Sequence, residues 1–356
     1  MRNSRQPALP TWLSFLLSVA FVISASAVII FAYLTSQVLW TRAVNPVEAA
    51  AAGVASVELQ LGQEGPALVP PVVSGQPTPT LIPTSEARDS DERTNILLMG
   101  IDRRPGESFI SRTDSIMILS VDSVNNEAVM LSIPRDLYVM IPGHGRDRVN
   151  TAYVYGSAGD NPAGGAALAM QTLEYNLGIH LDHYVLVDFS AVIKGIDTLG
   201  GIDLTVPYDI NDPKFPDMNY GYDPLYIPAG YQHMDGRTAL KYARTRHTDN
   251  DYGRAARQQQ VILAARDKAL GLGILDLLSR APDLYKRVEQ GIRTDLSLEQ
   301  IVQLTRITSG FDSDNIRNEV LDGRFLSPFL TEIGAQVLVL DPDKGSPFIQ
   351  DLFYDE

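Results

Sequence analysis

The sequence predicts an α/β layered domain held outside a membrane by one N-terminal helix, and three observations predict it. An uncharged apolar run extends from Trp12 to Leu34, roughly the ~20 residues that a bilayer-spanning helix needs. A proline-rich stretch follows it. From Asn95 onward, short apolar runs ended by glycine or turn residues alternate with stretches of helical spacing, the alternation expected of strands and helices stacked in layers.

Residues 1–10 are short, polar and basic, with Arg2 and Arg5, and read as a cytoplasmic tail because basic residues stay on the inner side. Residues 11–35 read as the transmembrane anchor, with Trp12, Tyr33 and Trp40 near its ends where interfacial aromatics belong. A cleaved signal peptide competes with this reading, since Ala25-Ser26-Ala27 is a small-x-small site. Val28-Ile29-Ile30-Phe31 continues the apolar run past that site, which favours an uncleaved anchor. Residues 36–93 read as an extracellular linker. Ala and Glu dominate its first part, and Pro66, Pro70, Pro71, Pro77, Pro79 and Pro83 follow, a composition that gives extended, semi-rigid spacing.

Residues 94–356 read as the globular part. Asn95 to Asp102 is a continuous apolar run broken by Gly100, the pattern of a buried strand. Ser115 to Asp122 and Ala128 to Ile133 repeat it around the turn Asn125-Asn126, and Tyr138 to Ile141 is a further candidate. Helical spacing over Gly164 to Leu177 is followed by a strand at Tyr184 to Val187, a helix over Phe189 to Leu199, and a strand at Ile202 to Val206. Asp209 to Pro224 is rich in Asp, Pro, Asn and Tyr with little periodicity, and reads as a long surface loop near the site. Helices are expected to dominate from Gly236 to Gly310, with Thr294 to Glu299 resembling a helix start. Strand candidates at Ile316 to Leu321 and Val337 to Leu340 precede a last helix.

Composition removes several functions. The net charge of −14 over 356 residues leaves no basic surplus for nucleic-acid binding. An anionic ligand must then be held by a local cationic cluster working against the overall field. The absence of cysteine excludes disulfides, thiolate metal sites and a cysteine nucleophile. No nucleophile elbow and no Walker loop is present, and the five histidines show no metal-ligand spacing beyond an incidental pair, His180 and His183.

The cationic cluster is concentrated in one run. Arg244 and Arg246 close a helical pattern, Asp249 to Gly253 is a polar break, and the pattern resumes with Arg254, Arg257 and Gln258. Arg254 and Gln258 are four apart and share a helix face. Guanidinium forks grip phosphate oxygens in pairs, so the run suits a pyrophosphate clamp. It equally suits a helix end with arginines on its dipole, followed by a solvated helix. Carboxylates gather elsewhere. Asp102 ends the first strand, Asp114 opens the second, and Arg112 stands just before it. Two carboxylates flanking one loop match the one or two that magnesium takes, with water and phosphate oxygens completing its shell. Structural turn and ion-pair roles remain the alternative for both. Pro134-Arg135-Asp136 follows the third strand, and Arg148, Asn150 and Tyr153 form a polar cluster leading into a helix.

Taken together, the stretches Asn95 to Asp102, Arg112 to Asp114, Ser132 to Asp136, Arg148 to Tyr153, Asp188-Phe189, Leu199 to Asp203, and Tyr242 to Arg246 through Gln258 resemble the LytR-CpsA-Psr family of membrane-anchored enzymes of bacterial cell-wall assembly. The resemblance implies a central mixed β-sheet with helices on both faces and an apolar tunnel for a lipid tail. It implies magnesium-dependent (or manganese-dependent) transfer of a glycopolymer phosphate from a polyprenyl-pyrophosphate carrier to a peptidoglycan hydroxyl, by an extracellular catalytic domain spanning 94–356. Asp102 and Asp114 would hold the metal. Arg112, Arg135, Arg244, Arg246, Arg254 and Gln258 would hold the pyrophosphate, with Asp102, Asp114, Arg135 and Asp251 as the catalytic set. Asp251 would orient an arginine or accept the attacking proton. A polyprenyl-pyrophosphate hydrolase and a non-enzymatic regulator that binds the lipid pyrophosphate are the alternatives.

Overall fold

A computed structural model describes residues 93–103, 107–217, 221–246, 250–272, 288–311 and 313–354. The expected tail, anchor and linker lie outside the described residues, and among the described residues no helix is long and apolar enough to cross a membrane.

Strands β1 (Arg93–Ile101), β2 (Thr113–Asp122) and β3 (Glu127–Ser132) run as an antiparallel meander, each nearly all buried as expected of strands covered on both sides. A ribbon of β4 (Tyr138–Ile141) and β5 (Gly145–Arg148) leads to helices α1 (Ala152–Gly156) and α2 (Pro162–Leu177). Helix α2 starts with Pro162 after the Asn161 cap and stops at Gly178, whose φ of +70° suits glycine. Strand β6 (His183–Asp188) passes directly into α3 (Phe189–Leu199), capped by the Asp188 carboxylate. Next come β7 (Ile202–Val206), β8 (Ile210–Asp212), β9 (Leu225–Ile227) and β10 (Gly230–Met234), forming the ribbons β7–β10 and β8–β9. Helices α4 (Gly236–Arg244) and α5 (Asp251–Gly271) follow, capped by Asp235 and Asn250. The remainder comprises β11 (Ile292–Thr294), α6 (Leu298–Thr308), β12 (Ile316–Val320), the ribbon β13 (Leu326–Leu330) with β14 (Gln336–Leu340), and α7 (Pro342–Phe353).

The central sheet has the order β11-β6-β1-β2-β3-β12, with β6 parallel to β1 and β12 parallel to β3 among otherwise antiparallel pairs. It is therefore mixed, as expected. Its alternating side chains feed two cores. Ile96, Met117 and Leu119 pack with α3 to α6, whereas Leu97, Met99 and Ile118 pack with α1, α2 and α7. Helices thus cover both faces.

The structure refines four of these expectations. Ile292–Thr294 interrupts the expected helical stretch as an edge strand on β6, too short for its periodicity to register. The helix after it starts only at Leu298, where Ser297 and Gln300 exchange backbone and side-chain hydrogen bonds as a capping box. The strand expected at Val337 to Leu340 is present as Gln336–Leu340 and pairs with β13 outside the central sheet. The expected long loop from Asp209 also contains strand β8.

One buried ion pair fixes the β1–β6 end of the sheet. Arg103 donates two hydrogen bonds to Asp188 Oδ2, at 2.7 and 3.1 Å, and another to the Gln290 carbonyl. Asp188 itself is 0% exposed. Removing the arginine leaves the buried Asp188 charge with only neutral donors among the described residues, the Ser190 hydroxyl and the Ala191 amide, so Arg103→Ala is expected to cost about 3–5 kcal/mol. Urea unfolding checks this, and a loss under ~1 kcal/mol would show the carboxylate finding other partners.

Candidate active site

The site forms where the carboxyl end of β1, the start of β2, the end of α4 and the start of α5 converge. Gly100 lies opposite Ser115 and Ile101 opposite Thr113, so Asp114 is the extra residue of a β-bulge. A bulge re-aims the side chain it carries, and Asp114 joins Asp102 in lining one polar cavity of about 390 Å³. Asp102 accepts from Arg244 Nη2 at 3.1 Å, and Asp114 accepts from Arg135 Nη1 at 2.6 Å. Burial works against the charge on Arg135, but the Asp114 hydrogen bond, with Asp114, Asp136 and Asp251 nearby, lifts its pKa above the ordinary arginine value. Asp136 in turn meets Arg148 Nε at 3.1 Å.

The arginine run separates into two jobs. Arg244, at the end of α4, lies with its guanidinium carbon 4.7 Å from the Phe189 ring centroid. Arg246 pairs with Asp251 at 3.0 Å. Arg254 is only 6% exposed, yet among the described residues its nearest charged or carbonyl partners are Asp114 O at 3.4 Å and Asp251 Oδ1 at 3.6 Å. Its Nε has no hydrogen-bond partner among the described residues. A buried cation held so loosely is costly unless an anion completes its shell. Arg257 points elsewhere and donates to the Tyr242 and Thr245 carbonyls, latching α5 onto the end of α4. Gln258 accepts from Ser115 Oγ at 2.8 Å and donates to the Ala243 carbonyl at 3.3 Å.

The structure therefore brings Asp102, Asp114, Arg244, Arg246, Arg254 and Gln258 around one mouth. Arg135 stands behind Asp114 and Asp251 behind two of the arginines, neither of them lining it. Arg112 is exposed and does not line the mouth either. Four cations, Lys214, Arg244, Arg246 and Arg254, face three carboxylates, Asp102, Asp114 and Asp212, in a chain whose overall charge is −14. Sequence reasoning missed Ser115, Phe189, Asp212, Lys214, Phe215 and Pro216. The only signal for the last four was the composition of their loop.

Behind the mouth lies a second, apolar cavity of about 140 Å³ between the sheet, α3, α4 and α5. Leu98, Met117, Val187, Ile196, Val261 and Ala265 line it, and Ser115, Phe189, Arg244 and Gln258 border both spaces. The arrangement suits an amphiphile with an anionic head and a hydrocarbon tail.

The residues also fit a divalent ion. Asp102 and Asp114 each commit one described oxygen to an arginine, and both border the mouth. Two hard oxygen donors beside a cluster of cations suit magnesium, which keeps water and takes further oxygens from a ligand. Among the described residues no group of three or more His, Cys, Asp or Glu forms a ready metal cage.

Fold and site together define an α/β domain with a mixed central sheet and an apolar cavity behind an arginine-rich mouth. The LytR_cpsA_psr family model matches residues 70–343, and the chain belongs to that family. It is 32% identical over 234 residues to the polyisoprenyl-teichoic acid–peptidoglycan teichoic acid transferase TagU of Oceanobacillus iheyensis, covering 65% of this chain and 68% of that one. It is 31% identical to the transferase of the same description, TagV, of Bacillus subtilis, covering 62% and 54%. The regulatory protein MsrR of Staphylococcus aureus is 37% identical over 49% of this chain and 48% of its own. The chain thus spans only about half the length of the last two. Among solved structures, TagT bound to LI-WTA superposes with a TM-score of 0.58 at 27% identity, covering 76% of this chain and 95% of that one. B. subtilis TagV gives 0.56 at 27% identity, covering 74% and 99%.

Proposed function

We propose that this protein is a magnesium-dependent phosphotransferase that moves a glycopolymer phosphate from a polyprenyl-pyrophosphate carrier to a peptidoglycan hydroxyl during cell-wall assembly. The observation that carries the reading is the junction of the apolar cavity with the mouth at Arg244 and Gln258, next to the buried Arg254, whose Nε has no hydrogen-bond partner among the described residues. A prenyl tail fills the first space and a pyrophosphate the second. The names of the TagU and TagV relatives support the choice of donor and acceptor. The domain is taken to act on the outer side of the cell membrane, held by the 11–35 anchor and the 36–93 linker.

Arg254 and Arg244 grip the pyrophosphate oxygens, Arg246 reaches it from the rim, and Gln258 fixes the bridging region at the cavity entrance. Asp251 orients Arg246 and Arg254, and Arg135 orients Asp114. Arg112, exposed outside the mouth, reaches the pyrophosphate only if its loop moves inward. A magnesium ion held by Asp102 and Asp114 would neutralise charge on the phosphate oxygens as the transfer proceeds. The forks supply the remaining neutralisation where charge spreads over the equatorial oxygens. The leaving lipid phosphate stays anchored by its tail, and the accepting hydroxyl enters from the open side of the mouth.

The test uses the full chain with a short-tailed polyprenyl-pyrophosphate sugar, magnesium and a muropeptide acceptor. Mass spectrometry should detect released lipid phosphate and a phosphodiester-linked muropeptide. Asp114→Ala is expected to lower both by about a hundredfold or more. Release with no muropeptide adduct would instead identify a hydrolase.

A further inference from the structure

The mouth has a rim that the apolar cavity does not share, formed by Asp212, Lys214, Phe215 and Pro216. Asp212 ends β8 and is only 5% exposed. A buried carboxylate is costly unless donors meet it, and the two oxygens of Asp212 accept from different parts of the chain. Oδ1 accepts from the Lys214 amide at 3.2 Å, and the Asp212 carbonyl accepts from the Phe215 amide at 3.3 Å. The residue thus closes the turn that carries Lys214 and Phe215. Oδ2 accepts from the Thr245 hydroxyl at 2.7 Å, 33 residues further on.

Thr245 stands between Arg244 and Arg246 and is the first residue past α4, with an extended backbone. It is buried and held from three directions. Its amide donates to the Lys241 carbonyl at 3.0 Å, its carbonyl accepts from Arg257 of α5, and its hydroxyl donates to Asp212. Of these three bonds, the last alone reaches the rim. The turn meets the same arginine pair a second time. The Phe215 ring centroid is 5.7 Å from the Arg244 guanidinium carbon, within cation–π range, as is the Phe189 ring.

We propose that Asp212 is a positioning residue that joins the rim to the arginine pair. Through Thr245 it sets where Arg244 and Arg246 leave α4, and through its turn it presents Lys214 to the same pyrophosphate. The inference rests on the phosphotransfer reading above. Charge argues for this role over direct contact with the ligand. A carboxylate in the mouth repels a pyrophosphate, so what Asp212 contributes is its pair of acceptor oxygens. A neutral amide can keep that geometry. Asparagine offers its oxygen to the Lys214 amide and its NH2 to the Thr245 oxygen, which accepts as well as donates. A proton acceptor or a metal ligand at this position could not be replaced in that way.

The experiment titrates the full-length chain, in detergent micelles, with a short-tailed prenyl pyrophosphate and magnesium, and follows turnover separately with the sugar-bearing donor and muropeptide. Thr245→Val keeps the side-chain shape without the hydroxyl and should weaken binding tenfold or more, whereas Thr245→Ser should bind as the wild type does. Lys214→Ala should weaken binding in the wild type but add little in the Thr245→Val background, because the unlatched turn no longer presents the lysine. Asp212→Asn should retain both binding and turnover. Unchanged affinity of Thr245→Val, or fully additive losses with Lys214→Ala, overturns the proposal. So does an Asp212→Asn variant as inactive as Asp114→Ala, which would make Asp212 a base or a metal ligand. Should Thr245→Val fail to fold, the asparagine variant decides alone. A wild-type chain that binds no prenyl pyrophosphate refutes the reading of the mouth and this inference with it. A chain whose affinity depends on the latch but which transfers no phosphate refutes the phosphotransfer reading alone.

Discussion

Arg244→Ala is expected to leave a folded protein whose transfer rate is about a hundredfold or more lower, a barrier increase on the order of 3 kcal/mol. Arg244 borders both the mouth and the apolar cavity and contacts Asp102, a candidate metal ligand. Its fork touches Asp102 and lies over Phe189. Its side chain is 20% exposed and its partner Asp102 38%, so the pair adds at most about 1 kcal/mol to stability. Activity should therefore collapse while the melting temperature moves little. Arg244→Lys keeps the charge but loses the planar fork, and should recover only part of the rate. Arg257→Ala is the internal contrast. That residue latches helix carbonyls inside the protein, and its loss should lower stability first and activity only as a consequence. If Arg244→Ala and Arg257→Ala lose melting temperature alike, the run is a structural clasp and not a clamp.

The arginine run shows how far sequence reading reaches. Four-residue spacing placed Arg254 and Gln258 on one helix face, and both border the mouth. Spacing alone did not separate Arg257, one residue away, which faces α4. Asp102 and Asp114 were legible as loop-flanking carboxylates because each sits at a strand end. What brings Asp114 to the mouth is a bulge opposite Gly100 and Ile101, and a bulge has no period to read. The strands of the meander were legible because both their faces are buried. Strand β11 was not, since three residues among helices take their conformation from the neighbouring edge of β6. The rim residues 212–216 were placed only as a loop near the site. Their position depends on the long-range bond of Thr245 to the buried Asp212 carboxylate, at 2.7 Å. No local pattern encodes that bond.

Helix α5 offers the second large effect, because it lines the path from head to tail. Gln258 borders the mouth, Val261 and Ile262 lie a turn further in, and Ala265 lies deeper still. Seven residues along a helix span about 10 Å, so position 265 marks depth in the cavity. Ala265→Phe is expected to plug the inner end. Turnover of long-tailed donors should fall by about tenfold or more, since tail burial contributes ~0.8 kcal/mol per methylene excluded. Donors with one or two prenyl units should react almost as before. Val261→Phe, nearer the mouth, should slow both. Stability provides an independent check on the same substitution. Adding a ring to a filled core costs about 1–3 kcal/mol, whereas adding it to open apolar space restores lost dispersion contacts. An unchanged or raised melting temperature for Ala265→Phe, together with selective loss of long donors, would establish the cavity as the seat of the tail. Equal loss for every donor length, with a lowered melting temperature, would mean that the space is ordinary core and that the tail binds elsewhere.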